Sequence, residues 1–114
     1  MTDKQLNYDL LDEAAKIFKV LSNRHRLNIL YYLRNTKKEV SVSEIVKNIN
    51  DSQPVVSKQL RILTRYHLVS SRKEKNFVYY SLTDPDLISL IDSMVEHVDH
   101  TVKEVGKVPD TLHD

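Results

Sequence analysis

Four side chains that could bind a metal ion stand at the two ends of one apolar stretch near the C-terminus. Asp84 and Asp86 come at its beginning, and His97 and His100 come toward its end. Carboxylate oxygens and imidazole nitrogens are ligands that zinc, cobalt and nickel accept in proteins. The chain contains no cysteine, so within it thiolate ligands, disulfides and cysteine nucleophiles are excluded.

The spacing of these side chains suits a site shared between two helices. At about 100° per residue, His97 points within roughly 20° of Asp86 around a helix, and His100 within about 40°. Asp86 and His97 are nevertheless about 16 Å apart along the axis, whereas a metal–ligand bond spans about 2 Å. Two copies of the helix packed antiparallel would bring Asp84 and Asp86 of one to His97 and His100 of the other, forming two equivalent sites.

A purely structural role is the alternative for each of these residues. Asp84 is a natural N-cap, and Asp86 favours the positive end of the helix dipole. His97 and His100 are then simply exposed helix histidines. This alternative accounts for the residue types but not for the spacing between the two ends.

A second set of candidate residues lies in the middle of the chain, which is basic. Residues 41–82 carry seven Lys/Arg against three Asp/Glu, and residues 1–40 carry eight against five. Residues 83–114 are acidic, with two against eight. A basic central block suits a polyanionic partner, because each phosphate that Lys or Arg neutralises releases condensed counterions. An ordinary solvated surface is the alternative.

Hydrophobic periodicity predicts the elements that must position both sets. Apolar residues at steps of three and four indicate helices, and a change to a period of two after His67 indicates a β-hairpin. The final helix has Asp84 as its N-cap and Pro85 in its first turn, and it ends at Gly106. The predicted helices cover roughly residues 6–21, 22–35, 41–49, 52–66 and 84–106, and the predicted strands cover 68–72 and 77–82.

This order of elements is that of a winged helix-turn-helix protein, mainly α with a small β wing. In such a protein the helix over residues 52–66 enters the DNA major groove with its N-terminal residues at the base edges. We therefore expect base contacts from Gln53, Ser57 and Lys58. We expect phosphate contacts from five further cations, namely Arg61, Arg65, Arg72, Lys73 and Lys75.

Several segments resemble one known family over nearly the whole chain. Residues 21–30 read LSNRHRLNIL and are similar to the family pattern L-G-D-P-T-R-L-x-I-L, with the usual Gly and Pro replaced. Residues 52–63 read SQPVVSKQLRIL and resemble S-Q-S-x-V-S-x-H-L-x-x-L. Residues 67–69 and 79–82 match the two strands of the family wing, whose turn usually carries Gly and here offers only Asn76. The family is that of the ArsR/SmtB metalloregulatory repressors.

The resemblance implies a homodimer formed through the first and last helices, with a short strand between the second and third helices. It also bears on the metal. CzrA/SmtB-type zinc sensors in this family carry D-x-H at the start of the last helix and H-x-x-H or H-x-x-E near its end. Here Asp86 replaces the first histidine. The resemblance implies a divalent metal bound by Asp84, Asp86, His97 and His100, with zinc first and cobalt, nickel or manganese as alternatives.

We predict a cytoplasmic homodimeric repressor that binds a double-stranded DNA operator with two half-sites and loses operator affinity when metal binds. Residues 1–106 would form the DNA-binding and dimerisation domain, and residues 107–114 a flexible tail. The chain has no apolar segment long enough to cross a bilayer, so we expect no membrane partner. It has no glycine-rich phosphate loop or Ser/His/Asp arrangement, so we expect no enzyme.

Two alternatives remain open. The first is a regulator of the same fold that uses no metal and senses an organic ligand or the protonation of His97 and His100. The second is a protein-interaction module that uses the fold only as a scaffold. DNA binding no tighter than the salt-dependent nonspecific background would favour the second.

Overall fold

The computed structural model describes residues 8–110. The elements of this range are α1 (Tyr8–Leu21), α2 (Arg24–Thr36), α3 (Val42–Asn48), α4 (Gln53–Arg65), β1 (Ser70–Glu74), β2 (Phe77–Ser81) and α5 (Pro85–Val105). This order confirms the predicted winged helix-turn-helix fold. The predicted start of the first helix at residue 6 and the last four residues of the predicted tail lie outside the described residues.

The chain divides into two compact units, Met1–Thr83 with α1 to α4 and the hairpin, and Asp84–Asp114 with α5. The first unit has an aliphatic core. Each of its helices α2, α3 and α4 buries one face, because its apolar residues recur at steps of three and four. The fully buried side chains are Ile29, Leu30, Leu33, Val40, Ile45, Val56, Leu60 and Leu63.

Side-chain caps fix the starts of two helices in the first unit. Asn23 caps α2 by accepting a hydrogen bond from the backbone N–H of Arg26 (3.1 Å), and Ser41 caps α3 by accepting from that of Glu44 (3.2 Å). Both caps satisfy backbone donors that have no partner inside the helix. Ser52 is the N-cap of α4, but its side chain makes no capping hydrogen bond.

The C-terminus of α4 is closed by a Schellman arrangement. The backbone N–H of Leu68 donates to the Leu63 carbonyl (2.9 Å), and the N–H of His67 donates to the Thr64 carbonyl (3.0 Å). His67 occupies the left-handed position of this motif with φ 59°. Glycine usually stands there because it has no Cβ to collide with the backbone.

The wing is an antiparallel hairpin in which Ser70 pairs with Ser81 and Glu74 with Phe77. Its turn contains only Lys75 and Asn76, because β1 continues to Glu74, two residues beyond the predicted strand end at residue 72, and so includes Lys73. The left-handed residue of the turn is Lys75, with φ 57°, and not Asn76.

The short strand expected between the second and third helices is a single β-bridge between Val40 and Tyr80. The two residues exchange backbone hydrogen bonds of 3.0 and 2.8 Å. This bridge joins the connection before α3 to the second strand of the wing, so the helix-turn-helix and the wing form one hydrogen-bonded assembly.

Helix α5 begins and ends as the sequence predicts. The side chain of Asp84 accepts hydrogen bonds from the backbone N–H groups of Asp86 (2.9 Å) and Leu87 (3.4 Å), and Gly106 at the C-cap has φ 89°. Leu87 and Ile91 are buried. The later part of its apolar stripe is exposed, namely Met94, Val95, Val98 and Val102.

Candidate nucleic-acid interface and metal-ligand edge

Helix α4 separates a buried face from a polar face. Its buried residues lie on one side of the helix, namely Val56, Gln59, Leu60 and Leu63. Around the axis, Lys58 and Arg61 each lie about 150° from the centre of this buried face, Ser57 lies about 110° from it, and Gln53 lies within about 20° of Leu60. Gln53 and Arg61 are exposed, and Ser57 is half-buried. The packing of α4 therefore directs Lys58 and Arg61 away from the core, whereas Gln53 is exposed because it stands in the first turn of the helix.

The predicted contacts of α4 are spread along its length. Gln53, Ser57 and Lys58 occupy the first two turns, where the recognition helix of this fold meets base edges. Arg61 follows in the next turn. Arg65 lies roughly 18 Å from Gln53 along the axis, at the end of the helix remote from these readers.

His25 and Asp51 connect the start of α2 to the turn that precedes α4. His25 Nδ1 lies 2.8 Å from Asp51 Oδ1. The Asp51 side chain is only 11% exposed, whereas that of His25 is 48% exposed. Ser52 is the N-cap of α4, and the preceding Asp51 makes this contact with α2.

Arg26 and Gln59 form a positioning contact that sequence reasoning missed. Arg26 Nε donates to Gln59 Oε1 (2.8 Å), and its Nη1 donates to the Val20 carbonyl (3.0 Å). One side chain thus links the ends of α1 and α2 to the buried face of the recognition helix. The available signal was a polar residue, Gln59, at a position of α4 where the helical period calls for an apolar one.

Arg72 on the wing is held by two carboxylates. Its Nε lies 2.9 Å from Glu39 Oε2 and its Nη1 lies 2.6 Å from Glu74 Oε1, while the guanidinium stands 5.3 Å from the ring centre of Tyr79. The hydrogen bond from Arg72 lowers the pKa of the Glu39 carboxyl. Hydrogen bonds to Glu39 and Glu74 raise the pKa of Arg72. The charge of Arg72 is therefore already compensated within the protein.

The other wing cations lie in different surroundings. Arg72 and Lys73 are consecutive residues of β1, so their side chains leave opposite faces of the hairpin. Lys75 stands at the turn, and both lysines are exposed. Within residues 8–110, neither lysine forms an ion pair. Lys73 and Lys75 are thus the more available of the predicted phosphate contacts on the wing.

The four predicted metal ligands are all exposed on α5 or at its N-cap. The helix runs without interruption from Pro85 to Val105, so the predicted angular relationships among Asp86, His97 and His100 hold. We call these three side chains the ligand edge. Glu104, seven residues after His97, is an exposed carboxylate that returns to within about 20° of the same direction.

The ligand edge does not close a metal site within one chain. In the described part of the chain, no three His, Cys, Asp or Glu side chains are grouped closely enough to hold a metal ion. The donor set is chemically suitable, because two imidazoles and two carboxylates can complete a zinc site. Asp84 uses Oδ1 to cap the helix, which leaves Oδ2 for another partner.

None of the helices in the described range is both long and apolar enough to span a membrane.

The sequence over residues 23–71 matches the model of the bacterial regulatory protein, arsR family. This segment contains α2, α3, α4 and the start of the wing. The match therefore falls on the helix-turn-helix and its supporting helix.

Known proteins of similar sequence are transcriptional regulators. The chain is 34% identical to a cadmium resistance transcriptional regulatory protein CadC homolog of Staphylococcus aureus, over 75% of this chain and 69% of that protein. It is 30% identical to a transcriptional repressor SmtB homolog of Synechocystis, over 82% of this chain and 69% of that protein.

A similar solved structure is the homodimeric winged helix-turn-helix DNA-binding domain of a Mycobacterium bovis protein. The TM-score is 0.70 at 27% identity, and the match covers 97% of this chain and 99% of that one. Together with the element order and the exposed polar face of α4, these likenesses identify the chain. It belongs to the ArsR/SmtB family of winged helix-turn-helix transcriptional repressors.

Proposed function

We propose that this chain is a homodimeric repressor whose affinity for a two-half-site operator falls when a divalent metal ion, zinc first, binds between two copies of α5. The observation that carries the proposal is the arrangement of α5. It presents two donors at each end, and three of the four, Asp86, His97 and His100, form an edge that borders an exposed apolar stripe.

Residues of α4 and the wing support the DNA-binding part of the proposal. Gln53 and Lys58 are exposed in the first two turns of α4, where an amide can pair with adenine and an ammonium with guanine. Arg61, Lys73 and Lys75 are exposed cations suited to phosphate oxygens. In a dimer this set is repeated by the symmetry axis, which is why the operator is expected to have two half-sites.

The apolar stripe of α5 supports the dimer. The exposed fractions of Met94 (51%), Val95 (44%) and Val98 (37%) are large for side chains of this type. Helix α1 has a similar surface, with Leu10 65% and Phe18 57% exposed. Exposed apolar patches of this kind mark protein–protein interaction sites. A second copy of the chain carries the same apolar residues and could cover them.

Antiparallel pairing of two α5 helices supports the metal site. Asp84 and Asp86 of one copy would hold the ion together with His97 and His100 of the other. When bound, the ion supplies a cross-link that favours one dimer geometry over another. If that geometry binds DNA less well, bound metal lowers the affinity for the operator, and bound operator lowers the affinity for metal by the same factor, typically about 5- to 150-fold.

The test is a metal titration of the protein on fluorescent DNA taken from upstream of its own gene, with zinc, cobalt, nickel and manganese in turn. We expect metal to lower the affinity for DNA and a chelator to restore it. His97→Ala should keep the affinity of the metal-free protein and lose the response. The matched control is His67→Ala, which removes a histidine outside the ligand edge.

An unchanged operator affinity with all four metals, together with the absence of tight metal uptake in calorimetry, would end the metal proposal. A regulator of the same fold with a non-metal signal would then be the better description. If the duplex binds only with the weak, salt-dependent affinity of random DNA, the protein-interaction alternative takes over.

A second variant tests the ligand set directly. Asp86→His replaces a hard oxygen donor with a nitrogen donor. Zinc favours nitrogen donors more strongly than manganese does. We expect this variant to bind zinc more tightly relative to manganese than the unchanged chain does. An equal effect on both metals would indicate that residue 86 is not a ligand.

A further inference from the structure

We propose that a groove between α1 and α4 binds a small organic phosphate, with the phosphate on Lys19, Arg26 and Arg65 and the apolar part of the molecule on Val20 and Ile62. The groove has a volume of about 340 Å³. This volume is at the lower end of the range of small-molecule sites. The proposal concerns a site separate from the ligand edge and does not depend on the metal response.

Cationic side chains from three helices converge on this groove. Lys16 and Lys19 come from α1, Arg26 from α2 and Arg65 from α4. The rest of the lining is Val20, Ile62 and Tyr66, so no carboxylate lines the groove. Four cationic side chains and no acidic side chain therefore line the groove.

The charges in the groove are largely uncompensated. Lys16 pairs with Glu13 at 2.5 Å. Among residues 8–110, no carboxylate pairs with Lys19, Arg26 or Arg65. Arg26 is the most informative of them, because it is partly buried and its side-chain donors go to neutral acceptors, the Gln59 amide and the Val20 carbonyl. A partly buried charge without a counter-charge is costly unless an anion accompanies it.

The charge and shape of the groove favour a phosphate monoester over a monocarboxylate. Three unpaired cations match a group that carries about 1.5 to 2 negative charges near neutral pH. Guanidinium groups also suit the geometry of phosphate oxygens. Val20 and Ile62 add an apolar wall, so a phosphate attached to a compact apolar body should bind better than phosphate alone.

The test uses phenyl phosphate as the probe and follows backbone amide signals of the full chain by two-dimensional NMR. We expect saturable shifts confined to amides near residues 16–20 and 62–66. Inorganic phosphate lacks the apolar body and benzoate carries a single charge, so both should bind more weakly than phenyl phosphate. Equal binding of all three probes, or the absence of saturable shifts near the groove, would overturn the proposal.

Variants of the full chain make the assignment specific. Arg65→Gln and Lys19→Gln each remove one charge from an exposed side chain, and each should weaken phenyl phosphate binding about tenfold. The matched control is Lys47→Gln, which removes an exposed charge from α3 and should leave the binding unchanged. Equal losses in all three variants would mean diffuse attraction to a basic surface and would refute the site.

The same variants separate a small ligand from a DNA backbone. If Arg65→Gln and Lys19→Gln weaken binding to every duplex and leave phenyl phosphate binding intact, the groove is a duplex contact and the proposal is wrong. If they weaken phenyl phosphate binding and leave the affinity of the protein for DNA unchanged, the small-molecule site is supported whatever the outcome of the metal experiments.

Discussion

Arg26 Nε and Gln59 Oε1 lie 2.8 Å apart, and this contact joins two residues 33 positions apart in sequence. Gln59 is only 7% exposed, so its amide has little access to water as an alternative partner. The contact therefore fixes how the recognition helix α4 rests on α2. It is the one polar link that is buried against the core face of that helix in the described part of the chain.

Arg26→Ala should lower the free energy of unfolding by about 1–3 kcal/mol, because it leaves the buried Gln59 amide without its partner. Urea denaturation followed by circular dichroism measures the change. Arg24→Ala is the matched control, since Arg24 is an exposed arginine of the same helix. Equal losses in the two variants would show that the contact with Gln59 contributes nothing particular.

Gln53→Ala and Arg61→Ala should change DNA binding in different ways. Loss of a base-reading amide should reduce discrimination at one base pair by about 1–3 kcal/mol. Loss of a phosphate contact should weaken binding to all sequences. It should also reduce the slope of log affinity against log salt concentration by about one. Fluorescence anisotropy on a set of single-base operator variants at several salt concentrations separates the two effects. A uniform loss in Gln53→Ala would remove that residue from the base readers.

The two adjacent wing cations should contribute unequally. Lys73→Ala is expected to reduce the slope of log affinity against log salt by about one, as for the loss of one phosphate contact. Arg72→Ala should change the slope less, because Glu39 and Glu74 already compensate its charge. Titrations of the same operator at several salt concentrations give both values. An equal change would mean that Arg72 leaves its carboxylates to contact DNA.

Val98→Asp should disrupt the dimer. A charge placed in the exposed apolar stripe of α5 would be buried without a partner on association, which should raise the dimer dissociation constant by roughly a hundredfold or more. Sedimentation equilibrium measures that constant. Ser89→Asp adds the same charge on the other side of the helix and should leave it unchanged. If both variants remain dimers, the stripe is not the interface.

His67→Gly should stabilise the protein by about 0.5–1 kcal/mol. Glycine relieves the left-handed strain at φ 59°, and the larger entropy of the unfolded chain offsets part of that gain. His67→Ala keeps the Cβ atom and is the matched control, with little change expected. Thermal or urea unfolding at neutral pH gives the comparison. A gain with alanine equal to that with glycine would assign the effect to the imidazole and not to the backbone.

Local patterns were sufficient to predict most of the fold. The periods of apolar residues located all five helices, and Asp84 caps the last helix as expected. Period and capping depend on near neighbours in sequence, so they are visible in the sequence itself. The position of the left-handed residue in the wing was less accessible, because Lys75 adopts it in place of the more tolerant Asn76.

Contacts between distant residues could not be predicted in the same way. The pairing of Arg72 with Glu39 depends on how the hairpin returns to the start of α3, and the contact of His25 with Asp51 depends on how α2 meets the turn before α4. The proposed metal site was harder still to predict, because it involves two chains. Its residue types and spacing are readable in one chain, but the site itself needs a second copy, so its closure is a property of the assembly.

The bridge between Val40 and Tyr80 is made by main-chain atoms on both sides. The two hydrogen bonds therefore do not depend on side-chain chemistry, proline being the exception because it has no N–H to donate. The side chain of Val40 is nevertheless fully buried, so packing restricts this position to small apolar residues. The link between the connection before α3 and the wing thus depends on backbone geometry and on the packing of Val40. Substitutions at exposed wing residues such as Lys73 can therefore change DNA contacts without breaking this attachment.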